Sequence, residues 1–435
     1  MNKLARKLNT VDATLIVMGG IIGAGIFANP SVVAQVAHTP ALIVSVWLLG
    51  GLIALTGGFI FAELAWRRPD SGGLYGYLRD AFHPLVAFEY GWTALLISQS
   101  GGLAAAGIVF ANYFGPLVHL NASPPMVAVS TIIILSAINC LGVREGSTTQ
   151  NVIMLLKIAA IGALIAAGIF GAPASAAGAT APSVPPTALW AMIGAALIPV
   201  LFAYDGWQTA PFVDHELRDT GRALPIGMIG GVSAVVVLYL AVTIVGLRVL
   251  GAQGLAATST PASDIMRAVF GTLGQRVIAV GIALSTLGFL SNNILTSPRI
   301  YYAMARDRLF FRSVGSVHPR TQAPVVAIVL QAAFACAITL WKGYYEIIGY
   351  VTAMDFVFLS LAALAIFVFR SRGVHGVGGM RVPGHPITTV FFIVAGVAVI
   401  VSAGPTNALF TLIVLSAGAA AYGMRERFAR STPLT

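Results

Sequence analysis

Long apolar runs alternate with short polar breaks along the whole chain. The runs cover about residues 11–35, 41–66, 83–114, 124–141, 150–171, 188–213, 225–250, 271–303, 323–341, 346–370, 387–404 and 405–424. A helix rises about 1.5 Å per residue, so about 20 predominantly apolar residues cross a hydrocarbon core about 30 Å thick. The pattern predicts an all-α polytopic membrane protein of twelve transmembrane helices lying in a lipid bilayer.

Two of these runs are interrupted. In the first, Gly19, Gly20, Gly23 and Gly25 fall within seven residues. Glycine costs about 1 kcal/mol relative to alanine inside a helix and frees the backbone to approach a ligand. Gly19 and Gly23 also make a GxxxG pair, which by itself reads as close helix packing. The second interruption is Phe202-Ala203-Tyr204-Asp205-Gly206-Trp207, in the sixth run. Between the two lies an uncharged loop, Gly171 to Pro186, built of Ala, Gly, Pro, Ser and Thr with one Val. It reads as a flexible outside linker.

The loop divides the chain into 1–171 and 188–370, two blocks of five spans joined by 172–187, with the last two spans in 371–435. Each block opens on its interrupted helix, and the two run in opposite directions, as inverted repeats require. Interrupted segments at corresponding places in two halves point to the binding site of a secondary transporter, and they turn the first stretch from packing to site. A half-helix starting near Gly25 would aim its amides and positive dipole end at the midplane, where a carboxylate can be held. Carbonyls left unpaired where the first half-helices stop can take an ammonium group. Together these are the requirements of an amino acid's zwitterionic head.

Composition agrees with the membrane reading. The 435 residues are 57% hydrophobic and 9% charged, against about 25% charged in soluble domains. A net charge of +10 implies nucleic acid only where basic residues cluster on a soluble face. Here they lie in short loops. With the N-terminus inside, all but five lysines and arginines fall on the cytoplasmic side. Arg248, Arg267, Arg276 and Lys342 lie outside, and Lys157 within the membrane. That asymmetry predicts cytoplasmic termini and an even number of spans. Cys140 and Cys336 have no CxxC partner, so neither a disulfide framework nor a metal site is expected. No P-loop, zincin or nucleophile elbow appears, and the chain reads as a carrier without cofactor, not an enzyme. A cleavage pattern after the first run is lacking, so no signal peptide is expected.

Charges inside the spans are costly and mark function or pairing. Lys157 sits mid-span, too deep to snorkel easily. It is either a fixed strut, giving sodium-independent exchange, or a proton carrier. Asp205 can attract a cationic substrate, neutralise a positive group or cap the following half-helix. Asp355 reads equally as a ligand selector or one half of a structural pair. Glu63 and Glu89, toward the cytoplasmic ends of their spans, are expected to be solvated or paired with loop arginines. All seven histidines lie in loops or at span ends, which disfavours a histidine proton relay.

At these motifs the chain resembles the amino acid-polyamine-organocation (APC) transporter superfamily, most closely its L-type amino acid transporter (LAT) branch. The matching pieces are Gly20 to Phe27, Ala62-Glu63-Leu64 with Pro69 to Leu78, and Phe202 to Trp207. Glu216 to Asp219 leading to Pro225, and Arg299 to Asp307, complete them. The resemblance implies two inverted five-helix repeats of LeuT-like fold plus two terminal helices, working by alternating access. It implies that Ala24 and Gly25 amides receive the substrate carboxylate, with Gly23 allowing close approach. Carbonyls of Ile21, Phe202 and Asp205 would receive the ammonium, with Ala203 in the same break. Phe202 would close over the substrate as a gate, although a span phenylalanine also serves simple packing. Lys157 would substitute for a sodium ion between the first and eighth helices, beside Ser285 and Thr286.

Neutral L-amino acids are the expected substrates. Cationic amino acids or polyamines are the alternative, and an amino-acid-sensing receptor is a remoter one for which the short tails offer no output domain. The loop Gly115 to Ser123 has no cysteine, so no disulfide-linked heavy chain is expected. A bacterial inner membrane is the implied location.

Overall fold

A computed structural model describes residues 9–68, 73–142, 147–171, 186–208, 220–311, 313–321, 323–374 and 380–431, and every regular element among them is helical. The first apolar run forms α1 (Thr10–Ile21) and α2 (Gly25–Ala37), bent by 49° across a short break. Asn9 starts α1: its side chain accepts from the Val11 and Asp12 amides at 2.7 and 3.1 Å, while Asp12 accepts from the Asn9 amide at 2.8 Å. This reciprocal cap satisfies amides that have no partner inside the helix.

Next come α3 (Pro40–Arg67), the short α4 (Leu74–Ala81), and α5 (Pro84–Thr93), which passes through a π-helical stretch at Ala94–Ser98 into α6 (Gln99–Leu117). The chain continues through α7 (Pro124–Cys140), α8 (Ser147–Phe170), α9 (Pro186–Tyr204), α10 (Thr220–Ala257) and α11 (Pro261–Thr296). It ends with α12 (Pro298–Arg306), α13 (Val325–Trp341), α14 (Tyr344–Ser371), α15 (Ile387–Ser402) and α16 (Gly404–Ser431). Among the described residues six helices are long and apolar enough to cross a membrane, the bent α1–α2 pair makes a seventh, and five shorter apolar helices accompany them.

The boundaries differ from expectation where glycine redirects the chain. α10 runs past residue 250, to Ala257, but kinks at Gly251, whose φ of 69° turns the last segment away. α11 starts at Pro261, ten residues before the expected span, and bends at Gly271 (φ 64°). Asp264 and Arg267 make that first piece polar, so it does not read as part of an apolar run. Helix α9 stops at Tyr204, short of the expected 213. Residues 209–219, including the Glu216 to Asp219 motif, lie outside the described residues, as do Pro69 to Gly72, Arg144 and 172–185 of the linker.

Packing sorts the helices into two groups. α1, α2, α3, α9 and α10 contact one another, and α6, α7, α11 and α13 form a second cluster. α8 bridges them through α10 and α11, and α14 through α3, α9 and α6. At the end of α3, wholly buried Glu63 accepts from Arg67 Nε at 2.7 Å, Arg370 Nε and Nη2 at 2.9 and 2.7 Å, and the Val382 amide at 2.6 Å. The expected pairing with arginines is therefore present at Glu63. Glu89 differs: it is 8% exposed, packs against Gly418 of α16, and its Oε2 has no hydrogen-bond partner among the described residues. Beside α4, Asp307 accepts from Arg79 Nη1 at 2.6 Å and from the Tyr75 hydroxyl at 2.9 Å. Burial and that carboxylate push the Tyr75 phenol well above its ordinary range, so it remains a donor.

Candidate functional site

The break between α1 and α2 is a tight turn. The Ile22 amide bonds back to the Met18 carbonyl at 2.7 Å and the Gly23 amide to the Ile21 carbonyl at 2.8 Å. Helix α2 then begins at Gly25, and Ala24 before it contributes no side-chain cap. First-turn amides have no acceptor within their own helix and carry the positive end of the dipole. Uncapped, they are suited to an anion from outside the chain.

The second break follows α9. The Asp205 amide reaches the Phe202 carbonyl at 3.4 Å, Gly206 takes a φ of 117°, and Gln208 closes the turn. Its Oε1 accepts from the Gly206 amide at 2.9 Å and its Nε2 donates to Asp205 Oδ1 at 2.8 Å. Whether Asp205 caps a following helix falls outside the described residues.

The two breaks cross at backbone contact. A Cβ on Gly25 would lie 2.9 Å from Ala203 Cα, and one on Gly206 would collide with the Gly20 carbonyl. Only glycine fits at either point, so the sequence signal at both breaks and their contact in space have one cause.

Lys157 reaches this crossing from α8. It is 6% exposed, donates to the Ile22 carbonyl at 3.0 Å, and lies 5.9 Å from the centre of the Phe289 ring of α11. Phe289 also covers Gly23, where a Cβ would stand 3.4 Å from its edge. Ser285 and Thr286 are buried on the same helix about one turn earlier, and the Thr286 hydroxyl donates to the Ile282 carbonyl at 2.8 Å. The described partners of the ammonium are thus the Ile22 carbonyl and the Phe289 ring.

One contributor went unseen in the sequence. Wholly buried Tyr239 of α10 donates its hydroxyl to the Ile21 carbonyl at 3.1 Å, with its ring against Tyr204 and Trp47. With the Gly23 amide also bound there, both lone pairs of the Ile21 oxygen are engaged in this conformation. A tyrosine within an apolar run carries no sign of where its hydroxyl points. Phe202 is half-buried at the end of α9.

The structure also brings Asp205 and Asp355 together. Asp355, half-buried on α14, lies close to Ser98 of the π-helical stretch and within electrostatic reach of Asp205. Tyr90 of α5 lies within reach of both. The site is polarised, with the Lys157 ammonium at the first break and Asp205 at the second, Asp355 of α14 lying within electrostatic reach of Asp205. Among the described residues no three His, Cys, Asp or Glu side chains gather into a metal-binding group.

On one side of the crossing α2 is fastened. Asn29 Nδ2 donates to the Pro199 carbonyl at 2.6 Å and its Oδ1 accepts from the Tyr344 hydroxyl at 2.8 Å. Tyr113 donates to the Phe27 carbonyl at 2.8 Å, and Gln35 Nε2 to the Ala256 carbonyl at 2.9 Å.

Comparison with known proteins gives the family. The amino acid permease family model matches residues 8–418. The serine/threonine exchanger SteT of Bacillus subtilis (strain 168) is 30% identical over 441 residues, covering 98% of this chain and 98% of its own. Large neutral amino acids transporter small subunit 2 of Oryctolagus cuniculus is 26% identical over 379 residues, or 84% of this chain and 70% of its own. The b(0,+)-type amino acid transporter 1 of Oryctolagus cuniculus is 26% identical over 394 residues, or 84% and 76%. All are named as transporters or exchangers, not enzymes. Because the match runs through both breaks and nearly from end to end, the chain belongs to the amino acid permease family of transmembrane amino acid transporters.

Proposed function

We propose that the protein exchanges neutral L-amino acids across a bacterial inner membrane by alternating access, without sodium. The observation that carries this reading is the backbone contact between the two breaks, Gly25 on Ala203 and Gly206 on Gly20. It sets the uncapped start of α2 beside the carbonyl-rich ends of α1 and α9. In this reading the Ala24 and Gly25 amides hold the substrate carboxylate, and the Phe202 and Asp205 carbonyls hold its ammonium. The Ile21 carbonyl joins them when the Tyr239 hydroxyl moves aside, and Phe202 closes the site. Lys157 takes the place of a sodium ion by donating to the Ile22 carbonyl, with Ser285 and Thr286 behind it. The spans form two inverted blocks, 1–171 and 188–370, joined by the outside linker 172–187. The last two spans follow in 371–435, and both termini face the cytoplasm. The carrier works without a disulfide-linked heavy chain.

A second reading is supported by the Asp205–Asp355 approach: two carboxylates at one break favour a cationic side chain, so lysine or arginine would be exchanged. Polyamines fit less well, because they lack the carboxylate that the α2 amides call for.

The test is uptake of labelled alanine, serine, threonine, leucine, lysine and putrescine into liposomes, empty or preloaded with amino acid, with and without a proton gradient. Uptake of the neutral amino acids that requires internal amino acid and ignores the gradient is the expected result. Gradient-driven entry into empty vesicles would make the carrier a proton symporter, and entry of putrescine alone would overturn the reading.

A further inference from the structure

Backbone that binds a ligand must be held in register, and past Tyr204 the second break leaves helix α9. Two of its side chains fasten it to α3. The Tyr204 hydroxyl lies 3.4 Å from the Trp47 carbonyl, before the Gly206 turn. Trp207 is the fastening after it. It is 3% exposed, and its ring meets Phe61 of α3 edge-on at 4.9 Å. Its outer rim fills a notch at Gly57, one turn earlier on α3, where a Cβ would lie 2.6 Å from Cζ2 and Cη2. The same Cβ would lie 2.9 Å from Phe392 of α15, so Phe392 closes the notch from the far side. Phe392 stacks in turn on Phe356 of α14 at 5.9 Å, next to Asp355. Two residues beyond Phe61, Glu63 binds Arg370 at the end of α14 and the Val382 amide before α15. The indole is thereby held between α3 and α15, with α14 backing α15 through Phe356.

We propose that Trp207 is a positioning residue for the substrate site, keyed into α3 at Gly57 and backed by Phe392. Helix α15, outside both five-span blocks, thereby takes part in setting substrate affinity. This rests on the reading that the breaks bind the substrate. A wedge held between α3 and α15 keeps Gly206 against Gly20, and with it the carbonyls of Phe202 and Asp205. Filling the notch displaces the wedge, and removing Phe392 lets it rock.

The test measures exchange kinetics in liposomes, thermal unfolding, and hydrogen exchange of residues 200–208 without substrate. Gly57→Ala and Phe392→Ala are each expected to raise KM about tenfold or more with Vmax changed far less, because they misplace binding groups. They should also speed exchange of the 200–208 amides. Phenylalanine lacks the second ring that meets Gly57, so Gly57→Ala with Trp207→Phe should recover most of the KM lost in Gly57→Ala, a coupling that independent sites do not show. Unchanged KM with only a lower melting temperature would overturn the proposal, as would a double variant no better than Gly57→Ala. If the wild-type protein exchanged no amino acid, the transport reading would be the one at fault. Unaltered protection of 200–208 in both single variants would then still overturn the wedge.

Discussion

Lys157 and Tyr239 divide two carbonyls where α1 stops: the ammonium takes Ile22 and the hydroxyl takes Ile21. A buried carbonyl that loses its donor costs about 1–3 kcal/mol. Lys157→Met is therefore expected to lower exchange about ten- to hundredfold while the protein still folds, as uptake assays and a melting curve would report. Gly206→Ala should be worse. Its φ of 117° and the Gly20 carbonyl both oppose a Cβ, and strain of this kind costs about 1–3 kcal/mol before the clash is added. Loss of exchange with a lowered melting temperature is expected. Gly102→Ala on α6, with nothing within 4 Å, should instead gain up to about 1 kcal/mol of stability. Asp205→Asn is expected to keep neutral exchange, because an amide can still meet Gln208. Loss of lysine uptake alone would establish the cationic reading. Lys157 and both breaks, the second marked by Asp205 and Gly206, were legible in the sequence because charge and glycine are costly in a membrane helix. Tyr239 was not, since helix rotation decides where its hydroxyl goes, and the meeting of Asp205 with Asp355 depends on how α9 and α14 pack.

Among the helices, the first break behaves as its composition indicates, although unwinding is confined to Ile22–Ala24 and the flanking glycines stay helical. Glycine permits a break without compelling one, and α1 retains its helical bonds up to Ile21. The π-helical stretch at Ala94–Ser98 was invisible in the sequence, because its residues are ordinary apolar ones. Ser98, its last residue, lies close to Asp355. The same scale contains the clamp at the end of α3. Glu63 pairs with both Arg67 and Arg370, whose side chains are 3% and 26% exposed. Removing one partner of a buried ion pair costs about 3–5 kcal/mol, and the exposure of Arg370 puts Glu63→Gln toward the lower value. Its melting temperature should fall by several degrees. An unchanged melting temperature would mean that solvent already screens the pair.

For the whole molecule, both packed groups of helices meet at the crossing of the breaks, with α8 and α14 bridging them. Its polar groups sort by position, uncapped amides and Lys157 on one break and carboxylates on the other. On one side α2 is pinned by Asn29, Tyr113 and Gln35, so a rocking movement that opens this side must break those bonds. The central claim is that the crossing reads both ends of a zwitterion. Its most direct test is competition against exchange of the best labelled neutral amino acid by three compounds. These are alaninamide, which lacks the carboxylate, propionate, which lacks the ammonium, and unlabelled alanine itself. Inhibition by alanine alone is the expected result. Inhibition by alaninamide as strong as that by alanine would contradict the account, because the α2 amides would then hold no carboxylate.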